Sequence, residues 1–448
     1  MPPSDFLNLG DLATTEVVED AENGQYKVLA LSRGAIAGCL HCLATEGIQR
    51  FGTVDQTIVD TPHHGKFCTI HVTRQRYRCT GCGRTFLHPL PDVHDRHQMT
   101  KRLVDYIQRE GLRRTFKDVA RTIGIDESTV RDIVNGVIAA LQAKWQVVTP
   151  RVLGLDEIYL MGKSRGVVCN VEHRCVVDLL EKRDKDTILA YLDTLDRKTI
   201  EIATMDMWRP YRDAVATKIP KATVVVDKFH VVRMASTALE LTRKSLHASL
   251  SVHHRRQLKR DRWVLNRHRG DLNSEEQEKL NGWRTAHPIL GDGYDAKEAF
   301  YGIWACERRA EAEKAYDGWK AAIPASVADR FADTVRAVDN WRTEVFNHFE
   351  HRYTNAYTEA LNGLVRHVDR AGRGYSFPVL RAKMLFCHGH KIVERRVVKN
   401  RPIVSSLPTF GGAPMGFISL PDPEVVVFRE SLGVPISTLE DMAAQGVL

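Results

Sequence analysis

A chain of 448 residues is long for one domain, and its 43% hydrophobic and 27% charged residues are typical of a globular protein, not of a disordered or disulfide-rich secreted chain. The formal net charge of +8 and the sequence pI of about 9.0 favour a polyanionic partner. No apolar run approaches the roughly 18 residues of a membrane span, and the N-terminus lacks the basic-then-apolar pattern of a signal peptide. We therefore expect a cytoplasmic protein of several domains, whose nine cysteines are reduced thiols and in part metal ligands.

The first 26 residues contain six acidic residues and no Lys or Arg. An acidic stretch of this kind at a terminus predicts a poorly ordered leader, to which we assign no function.

Two CxxC motifs follow, Cys39 with Cys42 and Cys79 with Cys82, about 37 residues apart. Each short loop turns two sulfurs toward one point, and two such loops supply the four thiolates of a tetrahedral zinc site. Alternating segments between the motifs predict a small sheet, so residues 27–95 are interpreted as a zinc ribbon. The alternatives are two unrelated cysteine pairs, or substitute ligands among Cys68, His41 and His71.

Residues 100–145 have helical periodicity, and the segment FKDVARTIGIDESTVRDIV fits a helix-turn-helix. Ala120 is small enough for two helices to cross closely, and Gly124 supplies the tight turn. Asp126 or Ser128 can cap the second helix, which would enter a major groove of DNA. The alternative is a plain helical hairpin. The DNA-facing residues are predicted to be Ser128, Thr129 and Arg131, and the shared core Val119, Ile123, Ile125, Val130 and Ile133.

From residue 150 the pattern changes to strands. RVLGLDEIYL and GVVCNVEHRCVVDLLE predict three antiparallel strands, and these are followed by a helix, a strand ending at Asp206, a helix and a strand ending at Asp227. This order is that of an RNase H-like core, in which strand ends point into a ligand-binding crevice. Asp156 lies within the first strand, where an ionised carboxylate is costly unless a cation meets it. We therefore expect Asp156, beside Asp206, to face a divalent metal.

Residues 236–345 are long, helical, charged and rich in tryptophan. Within them, residues 243–269 hold nine Lys or Arg against one acidic residue. Such a run is either a solvated face or a phosphate-binding surface. The tryptophans are expected in the core, with stacking on an unpaired base as the alternative.

A further helix is predicted over residues 354–370. Asn355, Glu359, Asn362 and Arg366 recur at helical spacing and form one polar stripe opposite an apolar one. Glu359 and Arg366 lie two turns apart on one face, which suits a metal-binding carboxylate beside a phosphate-binding cation. The alternative is an ordinary solvated amphipathic helix.

In this order, these motifs resemble those of insertion-sequence transposases of the ISL-three type, members of the DDE superfamily. The resemblance spans roughly residues 35–400 and rests on the paired CxxC ribbon, the helix-turn-helix and the segments GLDEIYL, DMWRPY, VVVDKFHVV and TNAYTEALNGLVRHVDRAGRGYSF. It implies a multidomain α+β protein with an N-terminal zinc ribbon, a helix-turn-helix and an RNase H-like mixed α/β catalytic core interrupted by an all-α insertion.

The domains expected on this basis follow the chain in order. They are an acidic leader (1–26), the zinc ribbon (27–95), the helix-turn-helix domain (96–148), the first part of the core (149–235), the helical insertion (236–348), the second part of the core (349–404) and a C-terminal tail (405–448) that is either helical or solvated.

The resemblance also implies a carboxylate triad that binds two Mg²⁺ or Mn²⁺ ions. Carried over residue by residue, the triad is Asp156, Asp206 and Glu359. Asp227 and His230 match the Asp-x-x-His element that follows the second aspartate in related transposases. They are assigned, together with Asn355 and Asn362, to support of the active site, and Arg366 is assigned to DNA binding.

Strand order favours Asp206 over Asp227 as the second member of the triad. In an RNase H-like sheet the fourth strand, which ends at Asp206, lies beside the first, which holds Asp156. Asp227 follows the fifth strand and begins a helix, where a carboxylate can cap free N–H groups without any metal. We therefore expect Asp227 at the rim of the crevice.

Such an enzyme would bind the terminal inverted repeats of an insertion sequence, nick the element ends by hydrolysis and join the 3′-OH to target DNA. Its partner would be double-stranded DNA, not a membrane, in the bacterial nucleoid, and joining two ends would require a homodimer or a larger assembly. Two alternatives are an RNase H-like nuclease without strand transfer and a domesticated zinc-ribbon, helix-turn-helix transcription regulator.

Overall fold

The computed structural model describes residues 7–354, 356–388, 391–399 and 424–432. The chain divides into two compact units, Met1–Trp145 with Arg370–Cys387, and Gln146–Asp369 with His388–Leu448. Among the helices of the described residues, none is both long enough and apolar enough to cross a bilayer.

Five strands form a sheet in the first unit: β1 (Leu12–Asp20), β2 (Gln25–Ser32), β3 (Ile48–His63), β4 (Lys66–Cys79) and β5 (Thr85–Leu87). The order is β1-β2-β4-β3, with β5 paired to β4, and β2 and β4 are the parallel pair. Cys68, Ile70 and Val72 alternate along β4 and are buried, which is the period-2 pattern of a strand with one covered face.

The N-terminal residues belong to this sheet. The expected disorder of residues 1–26 is therefore wrong for most of that range, because β1 and the start of β2 lie within it. Leu7, Leu9 and Leu12 are buried in the core of the sheet. Burial of this apolar surface orders the segment, while Glu16, Glu19 and Glu22 stay exposed.

Three helices follow: α1 (Lys101–Arg113), α2 (Phe116–Ile123) and α3 (Glu127–Lys144). The predicted turn lies between α2 and α3, where Gly124 has a φ of 82°, a conformation that favours glycine. Asp126 is the N-cap residue of α3, but its side chain makes no capping hydrogen bond. Of the predicted core residues, Ile125 is only half-buried, and the buried ones are Val119, Ile123, Val130 and Ile133.

A buried lysine joins a later helix, α15 (Phe377–His388), to α1. Lys383 Nζ donates to the carbonyl oxygens of Gly111, Leu112 and Arg114, at the end of α1 where helical carbonyls lack partners. Burial lowers the pKa of Lys383 to about 8. Through this packing Arg370–Cys387 belongs to the first unit.

A second five-stranded sheet lies in the second unit: β6 (Val152–Leu160), β7 (Lys163–Asn170), β8 (Cys175–Leu180), β9 (Ile202–Met205) and β10 (Thr223–Val226). The strand order is β10-β9-β6-β7-β8. The strands β6, β7 and β8 are antiparallel, and β9 is parallel to both β6 and β10. The helices α4 (Lys185–Asp193) and α5 (Arg209–Lys218) connect the last three strands in sequence. The fourth strand therefore lies beside the first, as strand order predicted.

Eight helices follow β10: α6 (Lys228–Ser245), α7 (Val252–Arg260), α8 (Arg262–Asn266), α9 (Ser274–Ala286), α10 (Pro288–Ile303), α11 (Arg309–Ala322), α12 (Ala328–Asn340) and α13 (Arg342–Phe346). They pack around two apolar clusters. Trp283, Trp319 and Trp341 are buried in these clusters as expected, whereas Trp263 is 45% exposed.

The helix α14 (Ala356–Gly372) and a pair of antiparallel strands, β11 (Lys391–Lys399) and β12 (Glu424–Leu432), complete the described chain. The predicted apolar stripe of α14 is buried at Leu361, Leu364 and Val365. A helical tail is wrong for Glu424–Leu432, which is a strand.

Candidate functional site

Three aspartates occupy equivalent positions on three neighbouring strands. In the parallel pairings, Leu155 of β6 lies opposite Met205 of β9, which lies opposite Val226 of β10. The residue that follows each of these three is an aspartate. Because side chains alternate along parallel strands in register, the three carboxylates emerge on the same side at one edge of the sheet. They are Asp156, Asp206 and Asp227.

Asp156 is held on both carboxylate oxygens. Oδ1 accepts a hydrogen bond from the backbone N–H of Glu157 at 2.8 Å, and Oδ2 accepts one from Asn362 Nδ2 at 2.7 Å. The Tyr211 hydroxyl donates to the Asp156 carbonyl at 2.9 Å. Only 5% of Asp156 is exposed, and burial, followed by the charge of Asp206, raises its pKa to about 7. The fold thus fixes this carboxylate in a place where its negative charge is unfavourable.

Asp206, Asp227 and His230 form a compact group. His230 Nδ1 lies 2.9 Å from Asp206 Oδ1 and 3.3 Å from Asp227 Oδ2. These contacts, with Asp206 first, raise the pKa of His230 to about 10, so the imidazolium balances part of the negative charge. Asp227 is 1% exposed and its side chain makes no capping hydrogen bond to α6. The expectations of Asp227 at the rim and as a helix cap are therefore both wrong.

The helix α14 brings Glu359 and Asn362 to the same edge. Burial, followed by the charge of Asp227, raises the pKa of Glu359, and the charge of Asp206 acts in the same direction. Asn362 is buried and also donates to the Glu157 carbonyl at 3.2 Å. The first residue of the predicted polar stripe, Asn355, lies outside the described residues.

This group of carboxylates fits a hard divalent cation. Carboxylate oxygens are the ligands that Mg²⁺ prefers. Burial, and after it the negative charge of the neighbouring aspartates, raises the pKa values of Asp156 and Glu359, and a bound cation would offset both effects. The tightest set of ligand atoms is that of Asp206, Asp227 and His230, all within 4.8 Å of one another.

A cavity of about 400 Å³ opens beside the carboxylates, and its walls include residues to which we had given no role. The Arg183 guanidinium lies 4.8 Å from the Trp208 ring centroid and forms an ion pair with Glu157. Tyr211, which bonds Asp156, also lines the cavity. The sequence signal was present, because Trp208 and Tyr211 are part of the DMWRPY segment. The further lining residues are Met207, Arg233, Met234 and Thr237.

The four cysteines of the CxxC motifs meet in the first unit. Cys39 Sγ lies 3.7 Å from Cys82 Sγ, and Cys42 Sγ lies 3.7 Å from Cys79 Sγ. Four sulfurs placed about 2.3 Å from a tetrahedral zinc ion are separated by about 3.8 Å, so the geometry fits zinc. The considered substitutes, Cys68, His41 and His71, are not part of this group.

A third group, Asp60 with His63 and Cys68, is already occupied by protein donors. Asp60 accepts hydrogen bonds from Arg102 Nε at 2.8 Å and from Thr100 Oγ1 at 2.6 Å. Burial acts to raise the pKa of Asp60, but hydrogen bonds from Arg102, His63 and Thr100 outweigh it and lower the pKa. This group is an ion pair that fastens α1 to β3 and not a metal site.

The predicted DNA-facing residues lie near the start of α3. Ser128 and Arg131 are exposed and Thr129 is half-buried, and Arg131 donates to Glu127 Oε1 at 2.8 Å. Arg366 is exposed on α14.

Comparisons with known proteins cover both units. Residues 153–384 match the ISL3 family of DDE type, described as transposase, and residues 89–138 match the helix-turn-helix domain of transposase family ISL3. The chain is also 22% identical over 333 residues to the transposase for insertion sequence element IS1001 of Bordetella parapertussis. That alignment covers 72% of this chain and 82% of the relative.

Proposed function

We propose a specific activity for this chain, which belongs to the ISL3 family of transposases. It binds the terminal inverted repeats of an insertion sequence, nicks the DNA at the element ends and joins the freed 3′-OH to target DNA. The observation that carries this proposal is the row of aspartates at equivalent positions of the neighbouring parallel strands β6, β9 and β10, with Glu359 of α14 close enough for the charges of Asp227 and Asp206 to raise its pKa.

We interpret the second sheet and its helices as an RNase H-like core. Three antiparallel strands followed by two parallel strands, in the order β10-β9-β6-β7-β8, support this interpretation. The helices between β10 and α14 are then an all-α insertion between the second aspartate and the glutamate. The expected domain boundaries are proposed on the same basis.

The metal-binding triad is proposed to be Asp156, Asp206 and Glu359. Their oxygens suit two Mg²⁺ or Mn²⁺ ions, which when bound supply charge stabilisation to the attacking and leaving oxygens of a phosphate. Asn362 is assigned to orient Asp156, since its amide donates to one carboxylate oxygen. His230 and Asp227 are assigned to hold Asp206, because the imidazolium contacts both carboxylates.

Recognition of the element ends is assigned to the first unit. A structural zinc ion at the four cysteines would hold the ribbon, because folding and metal binding are coupled in small zinc domains. Ser128, Thr129 and Arg131 near the start of α3 would contact bases in the major groove. Arg366 is proposed to contact a phosphate of the bound DNA. Joining two ends requires at least a homodimer.

Strand cleavage at a defined end tests this function. Purified protein is incubated with labelled DNA that carries the ends of its insertion sequence, with and without Mg²⁺, and products are mapped to the nucleotide. We expect nicks at the element ends and products joined to target DNA. Nicks without joining would support the nuclease alternative, and binding without cleavage would support the transcription regulator.

A further inference from the structure

The short helix α7 (Val252–Arg260) has an unusual surface. Its residues are exposed except Leu258, which is buried in the neighbouring apolar cluster. Four of its nine residues are Lys or Arg, and two more are histidines. The one side chain that α7 buries therefore fixes its orientation and directs its cations to solvent.

Helical geometry places the cations on the outward face. Arg256 and Arg260 are four residues apart and lie nearly opposite Leu258 around the helix, with Lys259 beside them. Like charges at this spacing destabilise a helix by roughly 0.2–0.5 kcal/mol per pair. The arrangement is unfavourable for the free helix and becomes favourable when an anion lies against this face.

The cations of α7 also lack the carboxylate partners that other helices of the same segment provide. Among the described residues, no carboxylate lies within ion-pair distance of Arg255, Arg256, Lys259 or Arg260. The adjacent acidic residue, Asp261, instead accepts a hydrogen bond from Trp283 Nε1 at 2.7 Å. The local charge is therefore left uncompensated.

Exposed cations in α11 and α12 and at their ends show the contrast. Arg308 pairs with Glu311 at 2.6 Å, Arg330 with Asp329 at 3.4 Å and Arg336 with Asp333 at 3.0 Å. These three cations are ion-paired, whereas within the described residues the four Lys and Arg of α7 are not.

We infer that the outward face of α7 binds the phosphate backbone of double-stranded DNA without reading its sequence. This inference rests on the proposed function, which brings DNA to the second unit. Arginine and lysine contact phosphates through charge and hydrogen bonds and carry no base information in doing so. A membrane-surface helix would need a continuous apolar outward face, but α7 turns Leu258 inward and exposes Val252 alone among its large apolar residues.

The test compares two charge-matched variants of the full chain. The variant R256Q/K259Q/R260Q removes three cations of α7, and the control R308Q/R330Q/R336Q removes three exposed, ion-paired cations. Glutamine has a helix propensity close to that of Lys and Arg, so both variants should fold, which melting curves check. Binding to a random-sequence 40-base-pair duplex is measured by fluorescence anisotropy over a range of salt concentrations.

We expect the α7 variant to bind roughly 10- to 100-fold more weakly at 0.1 M salt. The slope of log K against log salt should become shallower by roughly 0.9 for each lost phosphate contact. The control should match the wild-type slope within error. Equal slopes for the two variants overturn the inference, and if the α7 variant then loses binding to phosphatidylserine vesicles, the face belongs to a membrane surface.

Failure of the proposed function gives a different result. If the wild-type protein does not cut element-end DNA but the slopes still differ, the catalytic proposal fails while the DNA-binding face of α7 stands. If cleavage occurs and the slopes agree, the catalytic proposal stands while the DNA-binding face of α7 is overturned.

Discussion

The four-cysteine group and the carboxylate group are two candidate metal sites built on opposite principles. The cysteines come from two short loops of one sheet region, and their sulfurs already have the spacing of a closed tetrahedral site. The carboxylates come from three strands and a helix far apart in sequence, and two of them, Asp156 and Asp206, line a cavity of about 400 Å³. A closed site has room for the ion alone, whereas an open one leaves room for a substrate.

The difference indicates which property of the protein each bound ion would affect. The ribbon would fold together with zinc binding, because the unfolded chain does not hold the four thiolates close to one another. The carboxylates are held in place by the sheet, Asn362 and His230, so the fold exists before the ion arrives. We therefore expect the first site to govern stability and the second to govern rate.

Zinc removal gives the largest expected effect. Structural zinc sites bind with apparent free energies of about 10–16 kcal/mol, so chelation or Cys79→Ser should unfold the ribbon and abolish specific DNA binding. Elemental analysis and melting curves measure this, with about one zinc per chain expected. Cys306→Ser, at a half-buried cysteine outside this sheet, is the control. Specific DNA binding by zinc-free protein would contradict the expected role of the four-cysteine site in stability.

Loss of one carboxylate should give the next largest effect, and this effect should be on the cleavage rate alone. Asp156→Asn and Glu359→Gln keep size and remove a proposed metal ligand, so cleavage should fall at least about 10³-fold while DNA binding is unchanged. Asp156→Asn should not lower the melting temperature, because it removes a buried charge whose pKa is raised by burial. Glu201→Gln, at an exposed ion pair, should cleave like wild type. Normal turnover by either active-site variant would require another set of ligands.

A direct comparison of variants distinguishes the roles of Asp206 and Asp227. Asp206→Asn should be as inactive as Asp156→Asn, while Asp227→Asn should keep measurable cleavage, reduced by roughly 10- to 100-fold as for other residues that orient a metal ligand. Single-turnover cleavage rates decide the order. An inactive Asp227 variant together with normal cleavage by the Asp206 variant would exchange their roles.

The smallest effect is expected for Asn362. Asn362→Leu removes the donor to Asp156 Oδ2 but leaves the carboxylates, so cleavage should fall roughly 10-fold and should recover in part at higher Mg²⁺. A structural role alone would lower the melting temperature without such recovery. Tyr159→Phe, on the same strand and 66% exposed, is the matched control.

Local patterns in the sequence were sufficient to predict several elements. The CxxC spacing predicted the meeting of four cysteines, and the glycine at position 124 predicted the turn between α2 and α3. The order of strands and helices after residue 150 predicted that β9 lies beside β6, and hence that Asp156 and Asp206 are neighbours. These predictions succeed because each depends on short-range geometry or on a topological rule that follows from chain order.

Other features depend on contacts between residues distant in sequence. Because Leu7 and Leu12 are buried, the segment expected to be a disordered leader is ordered and contains a strand. Because Asp227 is buried between its strand and the following helix, it does not lie at the rim of the crevice. Lys383 donates to the Gly111 carbonyl at the end of α1, 272 residues earlier, and this contact packs α15 in the first unit. The sequence determined which chemical groups were available at each strand end and in each loop. Only the tertiary structure decided which of them are buried and paired, because burial and pairing depend on long-range packing that no local pattern encodes.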